Sequence, residues 1–413
     1  TIKMDPYLNP DPGTMSPFQH GEVFVTDDGY EADLDLGHYE RFIDVPVTKH
    51  SNLTSGQIYQ EILEKERKGE YLGKTVQVVP HITNKIKDFI REAARTSKAD
   101  FVMIEIGGTV GDIEGEPYLE AARQFHREMG DENVMFIHLT LLVYLKVSDE
   151  LKTKPTQMSV KELEHRGIHP DMILARSDLP IPKDLLVKIA MFCDVDTDAV
   201  IPAPTISSIY EVPVNFADAD ISKIIFKKFG MPAKKPNLKV WRNLLKKINT
   251  IDNNKILVAL VGKYTAHGDA YISVNEALKS AGFANNTKVE IIDIDSEKIE
   301  KKDKVEWARL KKVHGIVVPG GFGKRGVEGK ILAAKYAREN KIPYFGLCLG
   351  MQILTIEFAR YILETKDVNS EEFKPRTANP VIHIIPEQKE KMKNKNYGAT
   401  MRLGAWDAKL NPD

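Results

Sequence analysis

The sequence predicts an α/β protein of two doubly wound domains, each built on a mostly parallel sheet. Three observations carry this. Short apolar runs such as Phe101–Ile106 and Lys255–Tyr264 alternate with segments of helical spacing. Glycine-rich turns follow several of these runs, at the strand ends where such sheets bind ligands. A stretch carrying Pro232, Lys234, Lys235 and Pro236 separates two series of this kind. The expected division is residues 1–226, a linker over 227–254, and a second domain over 255–413.

Composition sets the bounds. The chain has 413 residues, 42% hydrophobic and 28% charged, with a net charge of −1. That length supports two or three domains with their own cores. The balanced charge offers no global attraction to nucleic acid or an anionic membrane, so charged ligands must be met by local clusters. No apolar stretch is long enough to cross a bilayer, and no secretory signal is visible. Cys193 and Cys348 lie far apart without zinc-ligand spacing, which points to a reducing cytoplasm. Thr1 to Met4 open in mid-strand without an initiator Met, so the start of the protein is expected upstream.

In the first domain, Gly21–Val25 reads as a strand running into the turn Asp27-Asp28-Gly29. Glu31, Asp33 and Asp35 then alternate. On one face of an extended segment they would suit a cation such as Mg²⁺, or simply form a solvated acidic edge. Leu53–Lys68 has helical spacing and Thr75–Val79 reads as a strand. Gly73-Lys74-Thr75 does not qualify as a phosphate loop, because Gly69 is one residue too close and no strand precedes it. Helix Ile82–Arg95, strand Phe101–Ile106, helix Glu116–Glu128 and strand Val134–Tyr144 continue the rhythm. Glu105 falls near the end of a buried strand, followed by Gly107, Gly108, Gly111, Asp112 and Glu114. This is poor packing material and suits a metal–phosphate site with close backbone approach. Lys152 to Gln157 reads as a Pro-rigidified basic loop, matched to polyphosphate or merely solvated. Asp171–Arg176, Ala199–Ile201 and Ser207–Val212 are expected strands, with a helix over Asp184–Phe192.

In the second domain, strand Lys255–Tyr264, helix Ile272–Ala281, strand Lys288–Ile294, helix Glu306–Lys312, strand Gly315–Val318 and helix Gly329–Asn340 lead to a strand ending at Gly346. Cys348 then sits between Gly346 and Gly350, before a helix over Met351–Arg360. G-x-C-x-G at a strand-to-helix turn is the thiol counterpart of the serine nucleophile elbow. A helix N-terminus beneath the sulfur favours thiolate. The turn Pro319-Gly320-Gly321 ends the preceding strand, and its N–H groups with that of Leu349 suit an oxyanion hole. His383, the sole histidine after Cys348, reads as a strand residue rather than a base.

The residues resemble the CTP synthase family along essentially the whole chain. The carriers are Lys3-Met4-Asp5-Pro6-Tyr7, Gln19–Val25, Asp33–Arg41, Gln77–Thr83, Glu105–Glu114, the 152–157 stretch, and the strings around Gly320 and Cys348. The resemblance implies a P-loop-type amidoligase domain joined to a class-I glutaminase domain. ATP would phosphorylate O4 of UTP, and ammonia from glutamine would travel internally and displace the phosphate to give CTP. It implies Mg²⁺ at Asp35 and Glu105, and Lys3 beside the transferring phosphate. Asp112, Glu114, Lys152, Gln157 and Lys188 are implied as pyrimidine-nucleotide contacts and Arg176 as an ATP contact. Cys348 is implied as nucleophile, Gly321 and Leu349 as oxyanion donors, and Gln352 with Glu372 as the holders of glutamine. Arg325, Gly326 and Glu328 are similar to the lid where GTP activates the family. Feedback inhibition by CTP, homotetramers and filaments are also implied. The family's phosphate loop is expected before Thr1 and its catalytic H-x-E after Asp413. Competing readings are an amidotransferase feeding another ATP-activated acceptor, and a nucleotide-sensing assembly protein without catalysis.

Overall fold

The computed structural model describes residues 1–251, 255–265, 268–386, 388, 389, 402, 404–407 and 409. The last residues of the expected linker, 252–254, lie outside them. Two compact units emerge, residues 1–10 with 50–246 and residues 11–49 with 247–413. Compactness therefore groups residues 11–49 with the second series of strands.

In the first unit, β1 (Ile2–Asp5) lies between β2 (Asn52–Thr54) and β3 (Ile104–Ile106), parallel to both. Side chains alternate along a strand, so Ile2 and Met4 enter a core with Leu53, Ile58, Ile86 and Tyr118, while Lys3 and Asp5 take the opposite face. A second parallel sheet has the order β6 (Val200–Pro204), β5 (Met172–Ser177), β4 (Ile137–Leu141). Helices Ser55–Arg67, Thr83–Ser97, Glu116–Met129, Lys154–His165 and Lys183–Phe192 supply the crossovers that parallel pairing needs.

Several expectations in this unit are corrected. Leu53 is in β2, because Thr54 starts the helix through a capping box with Gln57. Thr75–Val79 is not a strand. Val78 and Val79 are exposed, and Pro80, which has no N–H to give a ladder, falls in the helical turn Val78–Ile82. Val134–Tyr144 divides at buried Leu142 into β4 and a strand Val143–Leu145 that pairs antiparallel with Glu150–Lys152. Ser207–Val212 is not a strand, since Ser208 caps the short helical turn Ile209–Glu211 and Pro213 sits in the first turn of helix Val212–Asp218. The helix Lys239–Thr250 spans the expected linker helix, and its Trp241 stacks on Tyr210.

In the second unit, β7 (Lys255–Gly262), β8 (Lys288–Asp295), β9 (Gly315–Val318) and β10 (Tyr344–Gly346) form one parallel sheet in the order β8-β7-β9-β10. Ala259 and Val261 pack into one core cluster and Val258 and Leu260 into another. Both faces of β7 are covered, which is why its sequence is an unbroken apolar run. Burying a side chain such as Leu260 is worth roughly 1.5–3 kcal/mol. Residues 11–49 belong here by side-chain chemistry as well. The Glu22 carboxylate accepts from the Ser273 N–H at 2.7 Å, in the first turn of helix Ile272–Ala284. The acidic alternation at 31, 33 and 35 does not line one extended face. Glu31 ends buried in the two-residue strand Glu31–Ala32, and Asp35 begins helix Asp35–Ile43, where a carboxylate suits the N-terminal dipole.

Candidate active site

Two constellations stand out, one in each unit. In the first unit, Lys3 and Glu105 are register partners across β1 and β3. The Lys3 ammonium donates to Glu105 Oε1 at 2.6 Å, with the lysine buried and the carboxylate half exposed. Beside them, Asp5 is buried and accepts from Asn52 Nδ2 at 2.7 Å. After β3 the chain turns through Gly108 (φ 84°) and Gly111 (φ 108°), conformations open to glycine. Asp112 folds back to accept from the Thr109 N–H at 2.9 Å, while Glu114 is exposed in the short turn that opens helix Glu116–Met129.

The other residues expected of a nucleotide site are distributed as follows. Lys152 pairs with Glu150 at 2.5 Å, and both this lysine and Lys188 hold the Glu150 carboxyl below its usual range, after its hydrogen bonds. The stretch 152–157 is not a loop. Lys152 closes a hairpin and a helix begins at Lys154, with Pro155 compatible with its first turn. Gln157 is buried on that helix and donates to Thr153 Oγ1 at 3.1 Å. Arg176, on β5, donates to the Ala203 carbonyl at 2.8 Å.

For the expected metal, Glu105 belongs to the first unit and Asp35 to the second. Among the described residues no three His, Cys, Asp or Glu side chains gather into a metal-holding group. Among the described residues, therefore, no cage is made by protein alone. A half-exposed Glu105 beside a lysine fits the one or two carboxylates that meet a Mg²⁺ carried by nucleotide phosphates.

In the second unit, Cys348 is exposed and has φ 48° and ψ −104°, between β10 and the helix Leu349–Ile362. A non-glycine residue at positive φ carries strain, which here turns the thiol outward. Both flanking glycines are required by packing. A Cβ on Gly346 would meet the Gly350 backbone at 2.3 Å, and one on Gly350 would meet the Val318 carbonyl oxygen at 2.0 Å. The register Val318↔Gly346 brings the β9 and β10 ends together. A Cβ on Gly320 would be 3.6 Å from Cys348 Cβ, and one on Gly321 3.5 Å from Leu349 Cδ2. The Gly320–Gly321 turn thus lies against the elbow.

Neighbours fix that turn. Glu372 accepts from the Gly323 N–H at 2.8 Å, and Lys263 donates its Nζ to the Phe322 carbonyl. Burial first, then Arg325, pushes the Lys263 ammonium below the usual lysine range. Gln352 is half-buried in the first turn of the elbow helix, its N–H bonded to the Cys348 carbonyl at 3.2 Å. Arg325 pairs with Glu297 at 2.5 Å and lies over the Tyr264 ring. Gly326 has φ 70° and no room for a Cβ, which would meet Ser296 Oγ. Glu328 accepts from both terminal nitrogens of Arg360 at 2.8 and 2.9 Å. His383 stands just beyond the strand Asn379–Ile382, exposed, its Nδ1 3.2 Å from Glu371.

Sequence reasoning missed Lys263 and Lys330. The signal for Lys330 was its place on an apolar helix stripe with Val327, Ile331 and Ala334.

Residues 1–231 match the family model described as "CTP synthase N-terminus", and residues 266–410 match "Glutamine amidotransferase class-I". The chain belongs to the CTP synthase family. A CTP synthase of Carboxydothermus hydrogenoformans is 54% identical over 410 residues, covering 99% of this chain and 76% of the relative. One of Bacillus velezensis is 52% identical over 411 residues, covering 100% and 76%. One of Caldanaerobacter subterraneus subsp. tengcongensis is 55% identical over 408 residues, covering 99% and 75%. Family membership thus extends over both units, and the Lys3–Glu105 pair and the Cys348 elbow fall inside the two matched regions. Among the described residues no helix is long and apolar enough to cross a membrane.

Proposed function

We infer that this member of the CTP synthase family aminates UTP to CTP. ATP phosphorylates O4 of the uracil ring, and ammonia displaces the phosphate. The ammonia comes from hydrolysis of glutamine to glutamate at Cys348. The observation that carries this reading is the strained Cys348 elbow set against the Gly320–Gly321 turn, together with the family match over the whole chain.

In the glutaminase half, Cys348 attacks the glutamine carboxamide carbon. The N–H groups of Gly321 and Leu349 meet the resulting oxyanion, and Gln352 and Glu372 hold the amino acid. Glu372 is already anchored to the turn through Gly323. In the amidoligase half, Lys3 places an ammonium beside the transferring phosphate, and Glu105 fixes that ammonium through its ion pair. Phosphoryl transfer is served by positioning and charge balance more than by covalent chemistry. Glu105 would hold a nucleotide-borne Mg²⁺, which when bound neutralises phosphate charge; Asp35 is a second candidate donor. Asp112, Glu114, Lys152, Gln157 and Lys188 are proposed to meet the pyrimidine nucleotide, and Arg176 to meet ATP. Arg325, Gly326 and Glu328 are proposed as the GTP-responsive lid. CTP feedback, a homotetramer or filament, and a cytoplasmic location complete the reading. So does the functional division 1–226, 227–254 and 255–413.

The test is CTP formation from UTP and ATP, supplied first with ammonia and then with glutamine. Both should proceed. Failure with UTP but turnover of another ATP-activated acceptor would overturn the substrate, and absence of any amination would overturn the enzyme.

A further inference from the structure

Two lysines lie against the Gly320–Gly321 turn. Lys263 comes from just beyond β7 and is used, through the Phe322 carbonyl. Lys330 comes from the first turns of helix Val327–Glu339. It is 0% exposed, and its Nζ has no hydrogen-bond partner among the described residues. That amine lies against the turn: a Cβ on Gly321 would be 3.8 Å from Lys330 Nζ, 3.7 Å from Lys263 Cε and 3.5 Å from Leu349 Cδ2. Lys330, Lys263 and Leu349 thus gather around Gly321, next to Gly320, whose own Cβ would be 3.6 Å from Cys348 Cβ.

A buried ammonium without a counter-charge is costly, and an apolar side chain of similar volume would pack there at lower free energy. The neighbours on its helix stripe, Val327, Ile331 and Ala334, do just that. The charged and titratable groups facing Lys330 are Lys263, Arg325 and Cys348. Arg325 is itself paired with Glu297 of the helix Ser296–Glu300, and Glu372 lies across the turn on Gly323. Two of the three facing groups are cations, so what the site lacks is an anion. Burial, then Lys263 and Arg325, bring the Lys330 ammonium down to about 7, while Cys348 acts in the opposite direction. An amine so poised is neutral or charged according to what forms nearby.

Acyl transfer at Cys348 creates two anions in succession, the thiolate and the tetrahedral oxyanion. We propose that Lys330 is a positioning residue of the glutaminase site, protonated as these anions form, and that its ammonium stabilises them through the Gly320–Gly321 turn. Lys330 takes up one proton as the Cys348 thiol gives one up, and releases one as the oxyanion collapses and the amide nitrogen takes one to leave as ammonia, so no net proton is gained or lost. Lys330 forms no bond to substrate, and only its N–H bond is made and broken. The inference rests on reading Cys348 as the glutaminase nucleophile.

The experiment compares wild type, Lys330→Met, Lys330→Arg and Cys348→Ala in the full-length enzyme. Three quantities are read: CTP formation with ammonia, CTP formation with glutamine, and the pH dependence of Cys348 alkylation by iodoacetamide. Lys330→Met should keep its ammonia-supported rate within about 2-fold while its glutamine kcat falls roughly 10–100-fold with little change in KM. Its alkylation midpoint should move up, because the variant has lost a nearby group that can be cationic and so favour thiolate. Lys330→Arg, which keeps the charge, should return the midpoint toward wild type even where its bulk slows turnover. An unchanged midpoint and glutamine kcat in Lys330→Met would overturn the inference. So would a parallel loss of ammonia-supported activity with an unmoved midpoint, which marks a packing role alone. Glutamine use surviving in Cys348→Ala would instead overturn the underlying reading of the nucleophile.

Discussion

Among the buried lysines, one beside each constellation invites comparison, because the fold treats the two in opposite ways. Lys3, 6% exposed, is matched across neighbouring strands to Glu105 at 2.6 Å. Lys330, 0% exposed, has no hydrogen-bond partner among the described residues and faces two other cations. The first ammonium finds its carboxylate within the fold itself. The unmatched amine gains a counter-charge only when chemistry at Cys348 produces one. The first lysine meets its counter-charge in the fold, and the second is proposed to meet one only during the reaction.

The comparison is most sharply tested at the nucleophile. Cys348→Ala should lower glutamine-supported CTP formation at least ~10³-fold, leaving ammonia-supported synthesis intact. Equal loss with both nitrogen sources would erase the distinction between the regions. Lys3→Met should behave in the complementary way, lowering the ammonia and glutamine rates together by about 10²-fold or more, since it removes charge stabilisation from phosphoryl transfer. Survival of either rate would sink that assignment.

Smaller effects are expected in stability. Gly350→Ala drives a Cβ against the Val318 carbonyl and should cost roughly 2–3 kcal/mol in chemical denaturation, with selective loss of glutamine use. Glu105→Gln leaves Lys3 buried beside a neutral amide. Because Glu105 is half exposed, water screens part of the loss, and about 1–2 kcal/mol is expected. Lys330→Met should have the opposite sign. In the folded protein Lys330 releases its proton at about 7, whereas in the unfolded chain it does so near ~10.4. Between those values the unfolded state binds more protons, so the lysine's contribution to stability rises with pH across that window. Its penalty is fully present below pH 7. Replacing it should raise the melting temperature at pH 7 by about 2–4 °C or more and flatten the rise toward pH 10. A variant less stable than wild type at pH 7 would remove the contrast between the two lysines.

Much of this was legible without coordinates. The apolar runs of β7 and β9, the helices between them, and G-x-C-x-G at a strand end follow from local periodicity and glycine spacing, which depend on neighbours a few residues apart. Local pattern misled where a competing local interaction decided. Pro80 denied Thr75–Val79 a ladder, Ser208 and Pro213 started a helix where a strand was expected, and Pro155 sat in a helix rather than a rigid loop.

The sequence by itself determined the family, the parallel α/β architecture of both series, and the place of Cys348 at a strand-to-helix turn, because each is written in residues close along the chain. Tertiary structure alone decided that Lys3 meets Glu105, 102 residues away, since strand register is set by which face is buried. It also decided that residues 11–49 pack with the glutaminase unit, and that an ordinary-looking lysine on an apolar stripe lies without a hydrogen-bond partner among the described residues, against the turn beside Cys348. Those facts depend on what the fold brings near in space, and on the cost of a charge that has left water.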